Sequence, residues 1–228
     1  GQRQTVCAAT SPDLITWTKV ENLPVLAADP RWYGTLQEGF PYEAFRDPWV
    51  YQMAGEKGWT MLVTAELKDS VHPRQRAAMA MAKSDDLINW KLLPATSQPD
   101  QGFAETEVFQ YEVVDGVPIL LFCTAGPNIS DERQAEGELG GVYSLPVRED
   151  LEDINFEHAT LFPRKNIYAS RLIQDVDGGW NLIAFLADIG QRHGLQVSVA
   201  NFKNSGKPGF QRLRSVVKSA DLRAVSST

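Results

Sequence analysis

The segment Ala9–Trp17, with the sequence ATSPDLITW, returns 73 residues later as AKSDDLINW over Ala82–Trp90. The two copies are identical at six of nine positions and share the pattern Ala-x-Ser-x-Asp-Leu-Ile-x-Trp. In each copy the Ser and Asp side chains can cap a turn, and we expect the Leu and Trp side chains to be apolar anchors. A repeat at this period predicts structural units that are stacked or arranged around an axis.

A second repeated feature is a hairpin of two apolar strands, found at 49–63, 108–122 and 171–185. Asp115-Gly116 and Asp177-Gly178 are strong signals for the turns of the later two hairpins. Each hairpin is followed by a further strand-like run, at 77–82, 141–145 and 195–200. The polar stretch 129–137 is a weak helix candidate, and we expect a loop there.

Units of about 60 to 70 residues with three or four short strands each are typical of propeller blades. We therefore predict an all-β fold, with residues 1–228 forming a single β-propeller domain. The predicted blades are a partial first blade at 1–20 and further blades at about 44–93, 104–162 and 166–212. A β-sandwich is the alternative all-β fold, and it explains the 73-residue repeat less well.

Composition excludes several classes of function. The net charge of −7 comes without a basic stripe, which argues against a nucleic-acid partner. No apolar run approaches the roughly 18 residues of a membrane span, so we expect no membrane partner. Cys7 and Cys123 lie in apolar runs and are expected to be two buried thiols. No spacing of potential ligands suggests a metal site, and nothing in the sequence implies a cofactor.

The chemistry is expected where the blades begin, because the first strands of propeller blades converge on the central channel. The stretch AFRDPWVY at 44–51 places Arg46 and Asp47 before a proline and a strand-like run. Pro48 removes a backbone donor and biases Asp47 toward an extended conformation. The adjacent guanidinium should keep this carboxylate ionised, which suits hydroxyl recognition and stabilisation of positive charge. An ordinary surface ion pair is the competing interpretation.

The predicted blade at about 104–162 opens with Glu105 and Glu107, whose side chains share one face of a strand, and the blade at about 166–212 opens with Tyr168, Ser170 and Arg171. Two carboxyl groups from different strands in one pocket can carry out glycoside hydrolysis, one ionised and the other acting as acid. We expect Arg46, Glu105, Tyr168 and Arg171 to bind substrate, with Trp49 stacking on a sugar ring.

Three motifs resemble glycoside hydrolase family 32, the five-bladed propellers that cleave β-fructofuranosides such as sucrose, inulin and levan. They are Arg46-Asp47-Pro48, the Ser-x-Asp-Leu-x-x-Trp closing strand, and the strand-opening glutamate Glu107. The resemblance runs through about residues 5–200. It implies that Asp47 is the transition-state stabiliser and Glu107 the general acid/base. Val108 and Phe109 depart from the family's Glu-Cys-Pro element, so Glu105 is a reserve candidate.

The family's nucleophile is an aspartate in an Asn-Asp-Pro-like motif on the first blade, and this sequence has none at the expected place. Asp29-Pro30 has the right dipeptide but lies in an inter-blade connection. We therefore expect a propeller that is incomplete at its N-terminus, with the nucleophile of a retaining mechanism in the absent part of the first blade.

Two alternatives stay open at this point. One is an arabinosidase or xylosidase like those of family 43, which are also five-bladed propellers. The other is a propeller that binds carbohydrate without catalysis. In each case the expected partner is an oligo- or polysaccharide, and exposed strand edges near 5–10 and 195–212 could support a homodimer.

Overall fold

The computed structural model describes residues 2–163 and 166–186, and the backbone of two further strands at 197–202 and 214–215. A two-stranded sheet comes first, formed by β1 (Ala9–Thr10) and β2 (Thr18–Lys19). Three antiparallel sheets of four strands follow, each with its strands in chain order. Among the described residues, the only helical segments are short.

The bounds of the strands are as follows. The first four-stranded sheet contains β3 (Arg46–Tyr51), β4 (Trp59–Glu66), β5 (Ala77–Ser84) and β6 (Lys91–Leu92). The second contains β7 (Glu107–Val114), β8 (Val117–Thr124), β9 (Gly141–Pro146) and β10 (Thr160–Leu161). The third contains β11 (Ile167–Gln174), β12 (Trp180–Leu186), β13 (Val197–Phe202) and β14 (Arg214–Ser215). The helical segments are 3-10 turns at Leu36–Glu38, Gly126–Asn128 and Phe156–His158, and helix α1 (Asp131–Ala135).

The hydrophobic core lies between neighbouring sheets. Along β4, Met61 and Val63 pack toward the connection before β3, whereas Leu62 between them packs toward the second sheet. This alternation follows from the two-residue period of a strand. The second sheet shows the same alternation, because Leu120 faces the first sheet and Leu121 faces the third. Because the central strands bury both faces, the sheets stack face to face, as blades do.

The predicted hairpins are confirmed by the pairing of β3 with β4, β7 with β8 and β11 with β12. The turn at Asp115-Gly116 has positive φ at both residues, 51° and 79°, which suits the twist of a two-residue hairpin. The third strand of each unit is also present, although Leu195 of the predicted run lies outside the described residues.

The two copies of the nine-residue repeat form the same turn. Asp13 accepts the backbone N–H groups of Ile15 and Thr16 at 2.9 and 2.7 Å, and Asp86 accepts the corresponding ones at the same distances. Leu14 and Leu87 follow with nearly equal φ, 62° and 64°. Hydrogen bonds between the Asp side chain and the backbone of the same nine-residue segment therefore determine this turn.

The expectation that the Leu and Trp of each copy are apolar anchors is wrong for three of these four residues, because Leu87 of the second copy is also exposed, at 40%. Leu14 is 79% exposed and Trp17 is 58% exposed. The first copy lies beside a two-stranded sheet, whereas Trp90 in the second copy packs against the core beside a four-stranded one. The same local turn thus has different tertiary support.

Two smaller expectations are also wrong. Cys7 is exposed, and only Cys123 is a buried thiol. The expected loop at 129–137 contains helix α1, whose first turn is capped because Ser130 Oγ accepts the N–H of Arg133 at 3.4 Å. In the part of the chain that the structure describes, no helix has the length and apolar character needed to cross a membrane. The homodimer expected at the strand edges stays a prediction, and much of 195–212 lies outside the described residues.

A close backbone approach at Gly140 gives a test of the packing in the second sheet. A Cβ atom at Gly140 would lie 2.4 Å from the backbone nitrogen of Gly126, whereas a Cβ at Gly126 would have its nearest neighbour at 3.9 Å. We expect Gly140→Ala to lower the free energy of unfolding by about 1 to 3 kcal/mol, and Gly126→Ala to change it little. Chemical denaturation of both variants measures the difference. Equal free energies of unfolding for the two variants would show that the close approach of Gly140 to Gly126 can relax at little cost.

Candidate active site

The first strand of each four-stranded sheet opens with the same irregularity. One extra residue on the first strand shifts the pairing with the second, which is a β-bulge. The shifts fall between Arg46 and Trp49, between Glu107 and Gln110, and between Tyr168 and Arg171. The residue after each strand opening has a positive φ, namely Asp47 (55°), Val108 (57°) and Ala169 (46°).

A positive φ is unusual for residues other than glycine and is a marked outlier for a β-branched residue such as Val108. Backbone strain of this kind persists only where the surrounding structure holds it, and it is concentrated at functional sites. Three such outliers at equivalent positions point to the strand openings as a site.

The bulges bring together three side chains spaced 61 residues apart in sequence. Arg46 donates to Glu107 through Nε, at 3.2 Å from Oε1, and through a short bond from Nη2. The Tyr168 hydroxyl donates a short hydrogen bond to the other carboxylate oxygen, Oε2. The Glu107 carboxylate is therefore held from both sides by residues of neighbouring sheets.

Glu105 completes a cluster around Arg46. Its Oε1 accepts a hydrogen bond from Arg46 Nη2 at 2.6 Å, and its side chain is only 8% exposed. Thr124 Oγ1 donates to the Glu105 backbone oxygen at 2.8 Å, which fixes the chain just before β7. Burial raises the pKa of Glu105 above its ordinary value, although the Arg46 guanidinium acts in the opposite direction.

Asp47 lies at the more open side of this cluster, with its side chain 34% exposed. The Arg46 and Asp47 charged atoms are 3.7 Å apart, so the closest partners of Arg46 are Glu105 and Glu107 rather than its neighbour in sequence. Burial raises the pKa of Asp47, Glu107 adds to the rise, and Arg46 and Arg171 oppose it. The ion pair between Arg46 and Asp47 that we expected from the sequence is thus a weaker contact than the salt bridges of Arg46 with Glu105 and Glu107.

Arg171 lies across Trp49. Its guanidinium is 5.0 Å from the centroid of the Trp49 ring, and its Nη1 donates to the backbone oxygen of Val108 at 2.9 Å. Trp49 itself packs against the core between the first two sheets. One face of this ring is therefore already covered by Arg171, which limits the stacking on a sugar that we expected from the sequence.

The family model described as the glycosyl hydrolases family 32 N-terminal domain matches residues 1–205. The chain belongs to glycoside hydrolase family 32. Among curated protein sequences, none matches this family 32 chain.

Several solved structures share the fold of this chain. A family 32 β-fructofuranosidase from Bombyx mori, in complex with sucrose, is 18% identical with a TM-score of 0.66, covering 92% of this chain and 43% of that one. An inulosucrase from Halalkalicoccus jeotgali, bound to kestose, is 15% identical with a TM-score of 0.65, covering 92% and 59%. A sucrose-6-phosphate hydrolase from Lactobacillus gasseri is 16% identical with a TM-score of 0.59, covering 87% and 40%.

These neighbours show that the all-β fold is the propeller fold of this group of enzymes. The chain spans about two fifths to three fifths of the length of these structures. The described residues form three four-stranded sheets and one of two strands, and the expected count of five blades stays a prediction.

Asp29, the weaker candidate for a catalytic aspartate, lies elsewhere in the family 32 chain. Its carboxylate accepts hydrogen bonds from Arg31 Nε at 3.0 Å and Nη2 at 2.7 Å. It lines a cleft of about 660 Å³ formed by residues 25–32 and 90–94 with Arg3, which contains none of the strand-opening residues. Trp32 lies in the same cleft, with the Arg31 guanidinium 4.3 Å from its ring centroid.

Sequence reasoning missed two residues beside the cluster, Tyr42 and Glu66. Tyr42 comes from the connection before β3, and Glu66 is the last residue of β4. Both lie within electrostatic reach of Glu105 and Arg46. The 61-residue spacing of the strand openings is a signal that could have identified the main cluster, but no periodic signal marks these two.

Removal of the central guanidinium tests how far the cluster depends on it. Arg46→Met leaves Glu105 and Glu107 without their shared cation, and we expect a loss of roughly 2 kcal/mol in the free energy of unfolding at pH 7. This is below the value of about 3 to 5 kcal/mol for fully buried pairs because Arg46 is partly exposed. The loss should shrink toward pH 4, since burial raises the pKa of Glu105 and its protonation removes the repulsion.

The matched control is Arg148→Met, which removes an arginine that pairs with Asp150 at the surface. We expect this variant to change stability by less than about 1 kcal/mol, as is usual for exposed pairs. Urea denaturation at pH 7 and pH 4 gives both comparisons. Equal losses for the two variants would mean that Arg46 does not hold the cluster together.

Proposed function

We propose that this protein is a retaining glycoside hydrolase that acts on β-fructofuranosides of the sucrose, inulin or levan type. The observation that carries the proposal is the Arg46-centred cluster, in which carboxyl groups from two sheets face one another at the strand openings. Family 32 membership supports the reaction class, and the sucrose and kestose in the related structures support a saccharide substrate.

In this proposal Asp47 binds sugar hydroxyls and stabilises the positive charge that develops on the glycosyl unit. Its position suits that role because it is the most exposed carboxylate of the cluster and its ion pair with Arg46, at 3.7 Å, is longer than those of Glu105 and Glu107. A carboxylate that is partly desolvated interacts more strongly with a developing charge than one in water.

Glu107 would act as general acid/base. Both of its oxygens accept hydrogen bonds, one from Arg46 and one from Tyr168. A bound substrate would have to displace the Tyr168 hydroxyl before Glu107 could present a proton to the leaving group. Such rearrangement on substrate binding is common for catalytic groups.

A retaining mechanism also requires an attacking carboxylate. Glu105 is poorly suited, since it is nearly buried and bonded to Arg46. The family resemblance gives that role to an aspartate of an Asn-Asp-Pro-like motif, and no described residue is assigned to it here. Membership of family 32 favours a fructosidase over the family 43 alternative. A propeller that binds carbohydrate without catalysis is distinguished from a fructosidase by assay.

The experiment is to incubate the protein with sucrose, inulin and levan, with aryl arabinosides and xylosides alongside, and to measure the released sugar and, by calorimetry, saccharide binding. Release of fructose supports the proposal, whereas release of arabinose or xylose contradicts the substrate class. Binding without release from any substrate would favour a carbohydrate-binding propeller without catalysis.

Asp47→Asn tests the stabilising role. Asparagine keeps the shape and tolerates positive φ but lacks the charge, so we expect kcat for fructose release to fall by at least about 100-fold while the melting temperature stays close to that of the wild type. The control is Asp115→Asn in the β7–β8 turn, which makes the same substitution at a similar φ. Unchanged turnover in Asp47→Asn would remove Asp47 from the mechanism.

Glu107→Gln tests the acid/base role. We expect kcat for sucrose to fall by about 100-fold to 10,000-fold, with a smaller loss for substrates whose leaving group needs no proton. Glu112→Gln, on the same strand but away from Arg46, is the control. If Glu105→Gln gives this substrate dependence and Glu107→Gln does not, the two glutamates exchange roles.

A further inference from the structure

The end of β8 lies directly beside Glu107 and carries a side chain that the mechanism above does not use. Cys123 is paired with Glu107 across the β7–β8 ladder. Its Sγ atom accepts the backbone N–H of Ala169, on the third sheet, at 3.2 Å. The thiol therefore connects the strand that carries Glu107 to the opening of β11.

The Cys123 thiol contributes a contact to the site and no charge. Its residue is 0% exposed, and burial raises the pKa of the thiol to about 12, so it is neutral at pH 7. A thiol sulfur is a weak acceptor, but an N–H group left without any acceptor in a partly buried place costs more. Removal of the sulfur would thus change the geometry of the site and leave its charges unaltered.

Ala169 is a residue that needs such a contact. The β-bulge between Tyr168 and Arg171 takes it out of the ladder with β12, so it has no residue opposite it on that strand. Its φ of 46° is unusual for a residue other than glycine. A strained conformation of this kind persists only where the surrounding structure holds it. The sulfur of Cys123 is one of the contacts that hold it.

The conformation of Ala169 determines where Tyr168 lies. The two residues are adjacent, so a rotation about the backbone of Ala169 moves Tyr168 relative to the rest of β11. The Tyr168 hydroxyl donates a hydrogen bond to Oε2 of Glu107. The contacts therefore form a closed loop, from Glu107 to Cys123 through the ladder, on to Ala169 through the sulfur, and back through the tyrosine.

The backbone on the Glu107 side of this loop is held by a different side chain. Arg171 Nη1 donates to the backbone oxygen of Val108, the strained residue after Glu107, at 2.9 Å. Thr124, which follows Cys123, fixes the chain before β7 through its bond to the backbone oxygen of Glu105. Loss of the thiol should therefore release the Tyr168 side and leave the backbone at Glu107 in place.

We propose that Cys123 is a positioning residue, whose sulfur holds the strained backbone of Ala169 and so keeps the Tyr168 hydroxyl on Glu107. This inference rests on the proposed function, in which Glu107 is the general acid/base, and adds to it a residue that does not touch the substrate. The orientation of the Glu107 carboxyl group then depends on a side chain buried behind it.

The test compares Cys123→Ala with Cys123→Ser, two variants of similar size of which only the second keeps an acceptor for the Ala169 N–H. For fructose release by Cys123→Ala we expect kcat to fall about tenfold, because a small displacement of a catalytic group is costly, with KM changed by less than about twofold. For Cys123→Ser we expect kcat within about threefold of the wild type, because the acceptor remains.

A side chain that only fills space would give the opposite order, since burying a hydroxyl costs more than burying a methyl group. The inference is overturned if Cys123→Ala keeps the kcat of the wild type, or if Cys123→Ser is no more active than Cys123→Ala. The control is Leu121→Val, a buried residue on the same face of β8. This variant should melt at a lower temperature than the wild type and keep its kcat.

A measurement without substrate tests the contact itself. We expect the loss of melting temperature in the double variant Cys123→Ala/Tyr168→Phe to be smaller than the sum of the two single losses, because the tyrosine is already released. With Leu121→Val in place of Cys123→Ala the losses should add. Additive losses in both pairs would overturn the inference.

Failure of the proposed function gives a different result. If the wild type releases no fructose, the proposed function fails, and the catalytic consequence of the Cys123 contact fails with it. The melting temperatures of the double variants then still decide whether Cys123 holds Tyr168. Fructose release by the wild type together with additive losses would instead overturn the role of Cys123 and leave the proposed function standing.

Discussion

The salt bridges from Arg46 to Glu105 and Glu107 are the interaction on which the site depends. The three four-stranded sheets contact each other through apolar faces, which fix their spacing but not the chemistry at the strand openings. Arg46 on the first sheet forms salt bridges with Glu105 and Glu107, which lie just before and at the start of the second sheet. Tyr168 on the third sheet donates a hydrogen bond to Glu107. Arg46 thus connects the polar ends of the first two sheets, and Tyr168 connects the third sheet to the same carboxylate, Glu107. Without it, these carboxyl groups would repel each other in a partly buried place.

The bulges explain how the same strand geometry supplies different side chains to one point. Each places an unfavourable φ at the residue that follows Arg46, Glu107 or Tyr168, namely Asp47, Val108 or Ala169. The cost of that strain, of order 1 to 3 kcal/mol per residue, is offset by long antiparallel pairings and by the apolar clusters on both faces of each sheet. The strain is acceptable because it lies at the ends of the strands. Arg46, Glu107 and Tyr168 then occupy equivalent positions in three successive units.

Local patterns in the sequence were sufficient for the hairpins, for the turns at Asp13 and Asp86, and for the strand openings that carry Arg46 and Glu107, because each depends on neighbouring residues or on a repeated unit. Features set by tertiary support were not accessible in this way. Trp17 and Trp90 end the same motif, yet only Trp90 has a core to pack against. The closest partners of Arg46 come from another sheet, so adjacency in sequence overstated its ion pair with Asp47. A nonperiodic connection also folds back over the end of β4, where Gly34 donates to the backbone oxygen of Glu66, and no repeat in the sequence predicts this contact.

The charges of the cluster fit the proposed reaction, in which a neutral substrate passes through a positively charged transition state. Asp47, Glu66, Glu105 and Glu107 surround Arg46, so carboxyl groups outnumber the guanidinium at the centre of the cluster. Complete neutralisation would make the cluster easier to bury but would remove the field that stabilises an oxocarbenium-like ion. Full ionisation of all four groups would make the folded state costly. Arg46 limits this cost because its guanidinium pairs with Glu105 and Glu107 at once, while Asp47 lies at the more exposed side of the cluster.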